Sequence, residues 1–500
     1  METLEVSNKA IQIPPKNKIN FWLLVFGRAF SGLGGAILGF GLSLYVLDLT
    51  GSAATFSLIY SLTILPGVLI SMFTGALVDR GNKKRIIVLS DVSGGVIVFF
   101  FLILFSFNPK NIIIIAAYSI ISSCISAVFN LAINAAIPEF VGREEVARTN
   151  SILQGLGAAI AIIGPILGAI AYKTIGLKLI FALNGTALIV AGLAELFIIY
   201  VGSNKVSNEK GSYLKDFKVT FQYINNVRIL GFFFIFAAII NFIFNPLMFV
   251  VLPYINYNLI KVTGIQLSIM QASGAIGVIV AAIVISMNKI LYKRLLIKFF
   301  TLFRIQAVLI VLWIFPALPI FESNSKWYIT AIFSILLILY GALNTAQNIP
   351  MITYFQLQIP DNLRARIIGV FISALYISSP IGMWLYGILL ENIEWTYITL
   401  FSGIVLFFLS LIASRNKYFI AFIKEQKEQQ EQVERVEQAE QVEQTEQAEQ
   451  LKQVEQIEQL NQVEEAEQVE QAEQVEQTEQ TEQTEQTAQT EQMEQMEELC

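Results

Sequence analysis

Of 500 residues, 55% are hydrophobic and only 14% charged, which excludes an ordinary soluble globular protein, where charge alone reaches about a quarter. The net charge of −6 is a composite, because from Lys424 onward 24 glutamates face four cations, while the remainder holds 29 cations against 15 acids. A basic body suits an anionic membrane surface, and the acidic balance belongs to the tail alone, so no nucleic-acid partner is implied. The absence of histidine rules out His-based metal sites, general bases and proton relays, and two cysteines, Cys124 and Cys500, suggest no disulfide framework.

Residues 1–19 lack the apolar centre of a signal peptide, so the run from Phe21 is expected to be a retained first helix behind a cytoplasmic N-terminus. Breaking the chain at charge and turn clusters gives twelve apolar runs, each long enough to cross about 30 Å of hydrocarbon. They are roughly 20–45, 53–78, 86–107, 112–137, 148–172, 179–201, 230–253, 265–287, 295–320, 327–351, 366–390 and 395–415. An even number of crossings puts both termini on one side. Alternate loops then carry 21 Lys and Arg on the terminal side, among them Arg80, Lys83, Lys84, Arg85, Lys289, Lys293 and Arg294, against five on the other: Lys110, Lys173, Lys178, Lys261 and Lys326. By the positive-inside tendency the basic side is cytoplasmic.

The longest internal loop, 202–229, divides six spans from six. The fold class expected is therefore an all-α membrane protein of twelve transmembrane helices in two six-helix bundles, 20–201 and 230–415, with a cytoplasmic central loop and a Glu/Gln-rich tail over 416–500. The halves echo each other: the basic turn Asp79 to Arg85 aligns with Asn288 to Arg294, and Pro138-Glu139 after the fourth span with Pro360-Asp361 after the tenth. From Lys424 the chain steps in triplets such as Val436-Glu437-Gln438. On a helix of 3.6 residues per turn such a step moves the apolar stripe backward each time, so the tail is expected as disorder or a single solvated helix.

Charges inside apolar runs mark a partner, a cavity or a path, because hydrocarbon tolerates them poorly. They are Arg28, Asp91, Glu195, Lys298 and Arg304. Arg28 stands ~12 Å into the first span at ~1.5 Å per residue, past easy snorkelling. Asp91 and Glu195 are the available proton carriers, with structural pairing to Arg28 or to loop cations as the equal alternative. Amides recur four apart, hence on one helix face, as Asn130 and Asn134, Asn241 and Asn245, and Asn344 and Asn348, with Gln347 beside the last pair. Each amide taken singly reads as glue between helices; the set reads as a polar pocket.

The stretch Gly75-Ala76-Leu77-Val78-Asp79-Arg80 with Lys84-Arg85 resembles the loop signature between the second and third helices of the major facilitator superfamily. Leu49-Thr50-Gly51-Ser52-Ala53, Val250-Val251-Leu252-Pro253, Pro360 to Arg366 and Gly164-Pro165 with Gly168 carry the likeness to its exporter branch, which includes macrolide efflux and siderophore export proteins. The resemblance implies alternating access by two rocking bundles. It places helices one, four, seven and ten around a central cavity, so that Arg28, Asn130, Asn134, Asn241, Asn245, Asn344, Gln347 and Asn348 would line it. It gives Gly75, Asp79, Arg80, Lys84 and Arg85 the role of a cytoplasmic gate, Asp79 facing the start of the eleventh helix, and makes Gly164, Pro165 and Gly168 an exporter motif. Helices three and six, which hold Asp91 and Glu195, are peripheral in that family. One departure stands out: the arginine usual in the fourth helix of proton-coupled exporters is missing between Ile112 and Ile137, so either Arg28 stands in for it or coupling differs.

No phosphate loop and no Ser-His or Cys-His pair occurs, so neither an enzyme nor a cofactor nor a metal is expected. The partners expected are a small-molecule substrate, protons and the lipid bilayer of the cell membrane, with the chain a monomer. The alternative is a non-transporting membrane scaffold or receptor acting through its acidic tail.

Overall fold

The computed structural model describes residues 15–199, 226–287, 289–317, 326–359 and 361–497, and the regular elements among them are helical. Hydrocarbon offers the backbone no water, so each spanning segment must close its own hydrogen bonds, which a helix does. The first span is Pro15–Thr50, and the third to sixth are Lys83–Phe107, Ile112–Val141, Val146–Thr174 and Gly176–Glu195. In the second half the eighth is Gly264–Met287, the tenth Lys326–Gln358, the eleventh Asp361–Asn392 and the twelfth Trp395–Ser414. Among the described residues ten helices are long and apolar enough to cross a membrane, Phe299–Phe315 is a shorter apolar helix, and the 32-residue eleventh completes the expected twelve.

Three spans that the sequence reads as continuous are interrupted. The second is Ala53–Leu62 followed by Leu65–Arg80. Pro66 has no N–H, and its ring would meet the Leu62 carbonyl in a straight helix. The N–H groups of Thr63 and Ile64 instead close a tight turn on the Tyr60 and Ser61 carbonyls at 3.1 Å. The seventh begins as Arg228–Pro246 and widens into π-helical turns at Leu247–Val251 and Tyr254–Leu259, so it reaches six residues past the expected end at 253. Pro246 and Pro253, each unable to donate, precede those turns, where the ladder slips by one residue. The ninth is Lys289–Ile297 and Phe299–Val311, parted at Lys298, and closes in a tight 3₁₀ turn, Leu312–Ala317.

Packing repeats between the halves. The first span packs on the fifth, the second on the fourth and the third on the sixth; the seventh packs on the eleventh, the eighth on the tenth and the ninth on the twelfth. Each of these three pairings returns advanced by six spans, as a parallel internal repeat requires, whereas the first span's close packing on the sixth has only a slight counterpart between the seventh and twelfth. The halves meet chiefly through the second with the eleventh and the fifth with the eighth, two contacts related by the same shift.

A compact body extends to Ile423, and Lys424–Cys500 forms a separate unit. The helix Lys417–Glu497 therefore has its root in the body. There Phe419 and Phe422 are buried among Phe232, Phe233, Phe236, Phe299 and Phe300, with Phe233 and Phe422 edge-to-face at 5.8 Å and Phe300 and Phe419 at 4.4 Å. Further along, Leu451, Val454, Ile457 and Val463 stand exposed, as triplet spacing on a helix dictates.

Candidate functional site

A cavity of about 540 Å³ opens between the halves. The first span supplies Ser31, Gly35 and Gly39 to its wall, and at both glycines nothing lies within 4 Å of where a Cβ would stand. The fourth span contributes Ser119, Ser122, Ser123 and Ser126, the sixth Asn184, and the second half Phe249, Pro253, Leu267 and Gln271. Tyr60 of the first half stacks on Phe249 of the second, ring centroids 5.6 Å apart and 19° from parallel, so one aromatic platform joins the halves beside the cavity.

A second cavity of about 200 Å³ shares Ser31, Gly35, Tyr118, Ser122, Ser126 and Leu188 with the first and adds Arg28, Asp91 and Asn130. Asp91 is buried, its Oδ2 without a hydrogen-bond partner, and Glu195 on the sixth span is 1% exposed with both carboxyl oxygens unpartnered. Arg28 lies over the Phe129 ring at 5.7 Å and within electrostatic reach of both carboxyls. Gly27 gives Glu195 its room: a Cβ there would sit 2.8 Å from Glu195 Oε1. One guanidinium thus lies in the field of two buried acids that have few hydrogen bonds, and of the two only Asp91 lines the smaller cavity.

The remaining expected residues are distributed through the two bundles. Gly164 and Gly168 set the fifth span against the first, where Cβ atoms would lie 2.5 Å from the Ala36 Cβ and 2.9 Å from the Ile37 carbonyl, and Pro165 lines the larger cavity. Asn130 donates to the Ser126 carbonyl at 2.7 Å, Asn241 to that of Ala237 at 3.0 Å, Asn245 to Asn241 Oδ1 at 3.0 Å and Asn348 to Asn344 at 2.9 Å. Asn134 is exposed. Gln347 is buried and donates to Gln306 of the ninth span at 3.0 Å. Apart from Arg28 and Asn130, none of the expected cavity residues lines either cavity among the described residues. Gly75, Asp79 and Arg80 belong to the helix Leu65–Arg80, and their side chains lie outside the described residues. Lys84 donates to the Leu196 carbonyl at 2.7 Å, Lys83 pairs with Glu139, and Arg85 is exposed, its N–H capped by Asn82 at 3.0 Å.

At the opposite end from this basic turn the structure holds a polar seam that sequence reading did not single out. The Asp48 carboxylate accepts the hydroxyls of Tyr172 at 2.7 Å and of Tyr257, from the other half, at 3.0 Å. Asn258 donates to the Gly51 carbonyl at 2.9 Å, where a φ of 59° turns the chain between the first two spans. Glu391, at the end of the eleventh span, accepts from Ser52 and from the Ala54 N–H, the latter at 3.3 Å, and so places its charge on the N-terminus of the helix Ala53–Leu62. Only one signal was available in the sequence: acids at span ends, which usually mean solvated caps.

Comparison with known proteins agrees with this architecture. The model of the Major Facilitator Superfamily matches residues 24–383. Macrolide efflux protein A of Streptococcus pyogenes is 22% identical over 79% of this chain and 95% of its own length, and the multidrug efflux pump Tap of Mycobacterium tuberculosis is 21% identical over 73% and 86%. Among solved structures, the nucleoside transporter NupG superposes with a TM-score of 0.61 at 14% identity, covering 80% of this chain and all 100% of that one. A bacterial homologue of ferroportin in an inward-facing state gives 0.58 at 14% identity, over 80% and 99%. The chain belongs to the Major Facilitator Superfamily and is a multi-pass membrane transporter rather than an enzyme.

Proposed function

We propose that this protein is a secondary active exporter, which carries a small amphipathic molecule out of the cell by alternating access in exchange for protons. One observation carries the reading: a drug-sized cavity between the two halves adjoins a smaller one that holds Arg28 and Asp91, with Ser31 and Ser122 in the shared wall. Cargo and proton sites that touch through common side chains can each sense whether the other is filled. The efflux relatives and the Gly164-Pro165-Gly168 stretch favour export over import.

In this mechanism the basic end is cytoplasmic, with both termini on that side of the cell membrane, and the chain works as a monomer. The seam around Asp48 and Glu391 closes the opposite, outer end. Cargo enters from the cytoplasm past the amide faces of Asn134, Asn241, Asn245, Asn344 and Asn348. Closure then brings Gly75, Asp79, Arg80, Lys84 and Arg85 against the second half, Asp79 on the start of the eleventh helix. Once the outer end has opened and the cargo has left, protons reach Asp91 and Glu195 and favour return.

The test is a susceptibility and accumulation screen in cells lacking their own exporters, with macrolides, other lipophilic cations, uncharged lipophilic drugs and siderophores as probes. Lower steady-state accumulation of at least one probe, abolished by a protonophore, is expected. Equal accumulation of every probe with and without the protein would reject export.

A further inference from the structure

The larger cavity is polar without being charged. No Asp, Glu, Lys or Arg lines it among the described residues; its polar groups are hydroxyls and amides. Ser119, Ser122, Ser123 and Ser126 follow the i, i+3, i+4, i+7 spacing that puts them on one face of the fourth span. Their commitments differ. Ser123 Oγ already accepts the Gly67 N–H at 3.0 Å, whereas Ser119 Oγ and Asn184 Oδ1 have no partner although their residues are only 2% and 3% exposed. The charged groups are confined to the adjoining smaller cavity, where Arg28 and Asp91 face each other's field.

This arrangement discriminates between cargo classes. A permanent cation entering the larger cavity would shed hydration and meet no counter-charge in its wall, a loss that neutral dipoles replace only in part. An uncharged molecule sheds less, and a hydroxyl or amide on it can satisfy buried polar atoms that otherwise stay unpaired. The Tyr60 and Phe249 rings and the leucines of the first span take up its apolar part. A volume of about 540 Å³ admits a drug-sized solute.

We infer that the cargo is an uncharged amphipathic molecule bearing hydroxyl or amide groups, selected by Ser119 and Asn184. The inference rests on the transporter reading above and narrows its substrate class. It has a consequence for energetics: exchange of a neutral solute for a proton moves net charge, so the membrane potential drives transport together with the pH gradient.

Equilibrium binding to the purified full-length chain tests it, with chloramphenicol as the uncharged probe carrying hydroxyls and an amide, and tetraphenylphosphonium as the permanent cation without donors. Chloramphenicol is expected to bind at least about tenfold more tightly, equivalent to about 1.4 kcal/mol. Ser119→Ala and Asn184→Ser should each weaken chloramphenicol and leave the cation unaffected. Ser119→Asp, which installs a counter-charge, should shift preference toward the cation. A monodisperse gel-filtration peak for every variant separates loss of binding from loss of fold. Equal or tighter binding of the cation, failure of both probes to bind, or indifference of chloramphenicol to both neutral variants would overturn the inference. Selective efflux of cations in the cell screen would sink the inference but leave the transporter reading intact; absence of any efflux would sink the reading itself.

Discussion

At the scale of single residues, the proposed function concentrates where hydrocarbon makes polarity costly. Arg28, Asp91 and Glu195 were legible in the sequence because each interrupts an apolar run, but their grouping was not, since they come from three spans separated by 63 and 104 positions of chain. Asp91→Asn and Glu195→Gln should each reduce flux driven by a pH gradient by about tenfold or more in proteoliposomes, while equilibrium binding of cargo changes by less than about threefold. Full gradient-driven flux in both variants would remove them from coupling. Ser119 and Asn184 escaped sequence reading for the opposite reason: serine and asparagine are common packing residues in membrane helices, and nothing local distinguishes a free hydroxyl from one bonded to its own backbone. The spacing of the four serines on the fourth span was the available signal. Conversely, regular four-residue spacing drew the paired asparagines together as a set, and in the structure most of them spend a donor on a carbonyl or amide of their own helix.

At the scale of elements, apolar length and loop charge were enough to locate twelve spans, because bilayer thickness and the cost of unsatisfied backbone leave few alternatives. The breaks at Pro66, Pro246 and Pro253 were foreseeable in kind, since proline removes a donor from the helix, but Pro138, Pro165, Pro350 and Pro380 lie within helices that continue through them. The form of the breaks, a tight turn in one span and π-helical turns in another, depends on neighbours that composition does not reveal. The seam among the first, second, fifth, seventh and eleventh spans was hidden because Asp48 and Glu391 sit at span ends where acids are unremarkable. Across the interface between the halves, Glu391 holds the N-terminus of a second-span helix, the reverse of the contact that resemblance implies for Asp79. Glu391→Gln and Asp48→Asn should loosen the end proposed to face outward, raising labelling of a cysteine placed at Asn258 by a membrane-impermeant reagent several-fold. Unaltered labelling in both variants would mean the seam does not hold that end closed.

At the scale of the whole molecule, the twofold internal repeat is the organising fact. The main pairings of one half return in the other advanced by six spans, and the two most extensive contacts between the halves obey the same rule, so a rocking motion can exchange one end for the other with little new packing inside either bundle. The tail stands outside this scheme beyond Ile423. A chain ending at Ile423 should insert and transport as the full chain does, whereas Phe422→Ala, which empties a site inside the aromatic cluster, should cost about 3 kcal/mol and lower the Tm in detergent. Loss of transport on truncation at Ile423 would instead show that the tail takes part in transport.

Alternation itself is tested most directly by tethering the outer end. In a chain with Cys124 and Cys500 replaced by serine, Ser52→Cys and Glu391→Cys stand on opposite halves at the seam, where the native side chains bond. Bridging them with a short, reducible thiol cross-linker should stop transport in proteoliposomes almost completely, and cleaving the linker should restore it. Undiminished transport through the bridged protein would contradict alternating access between these two bundles.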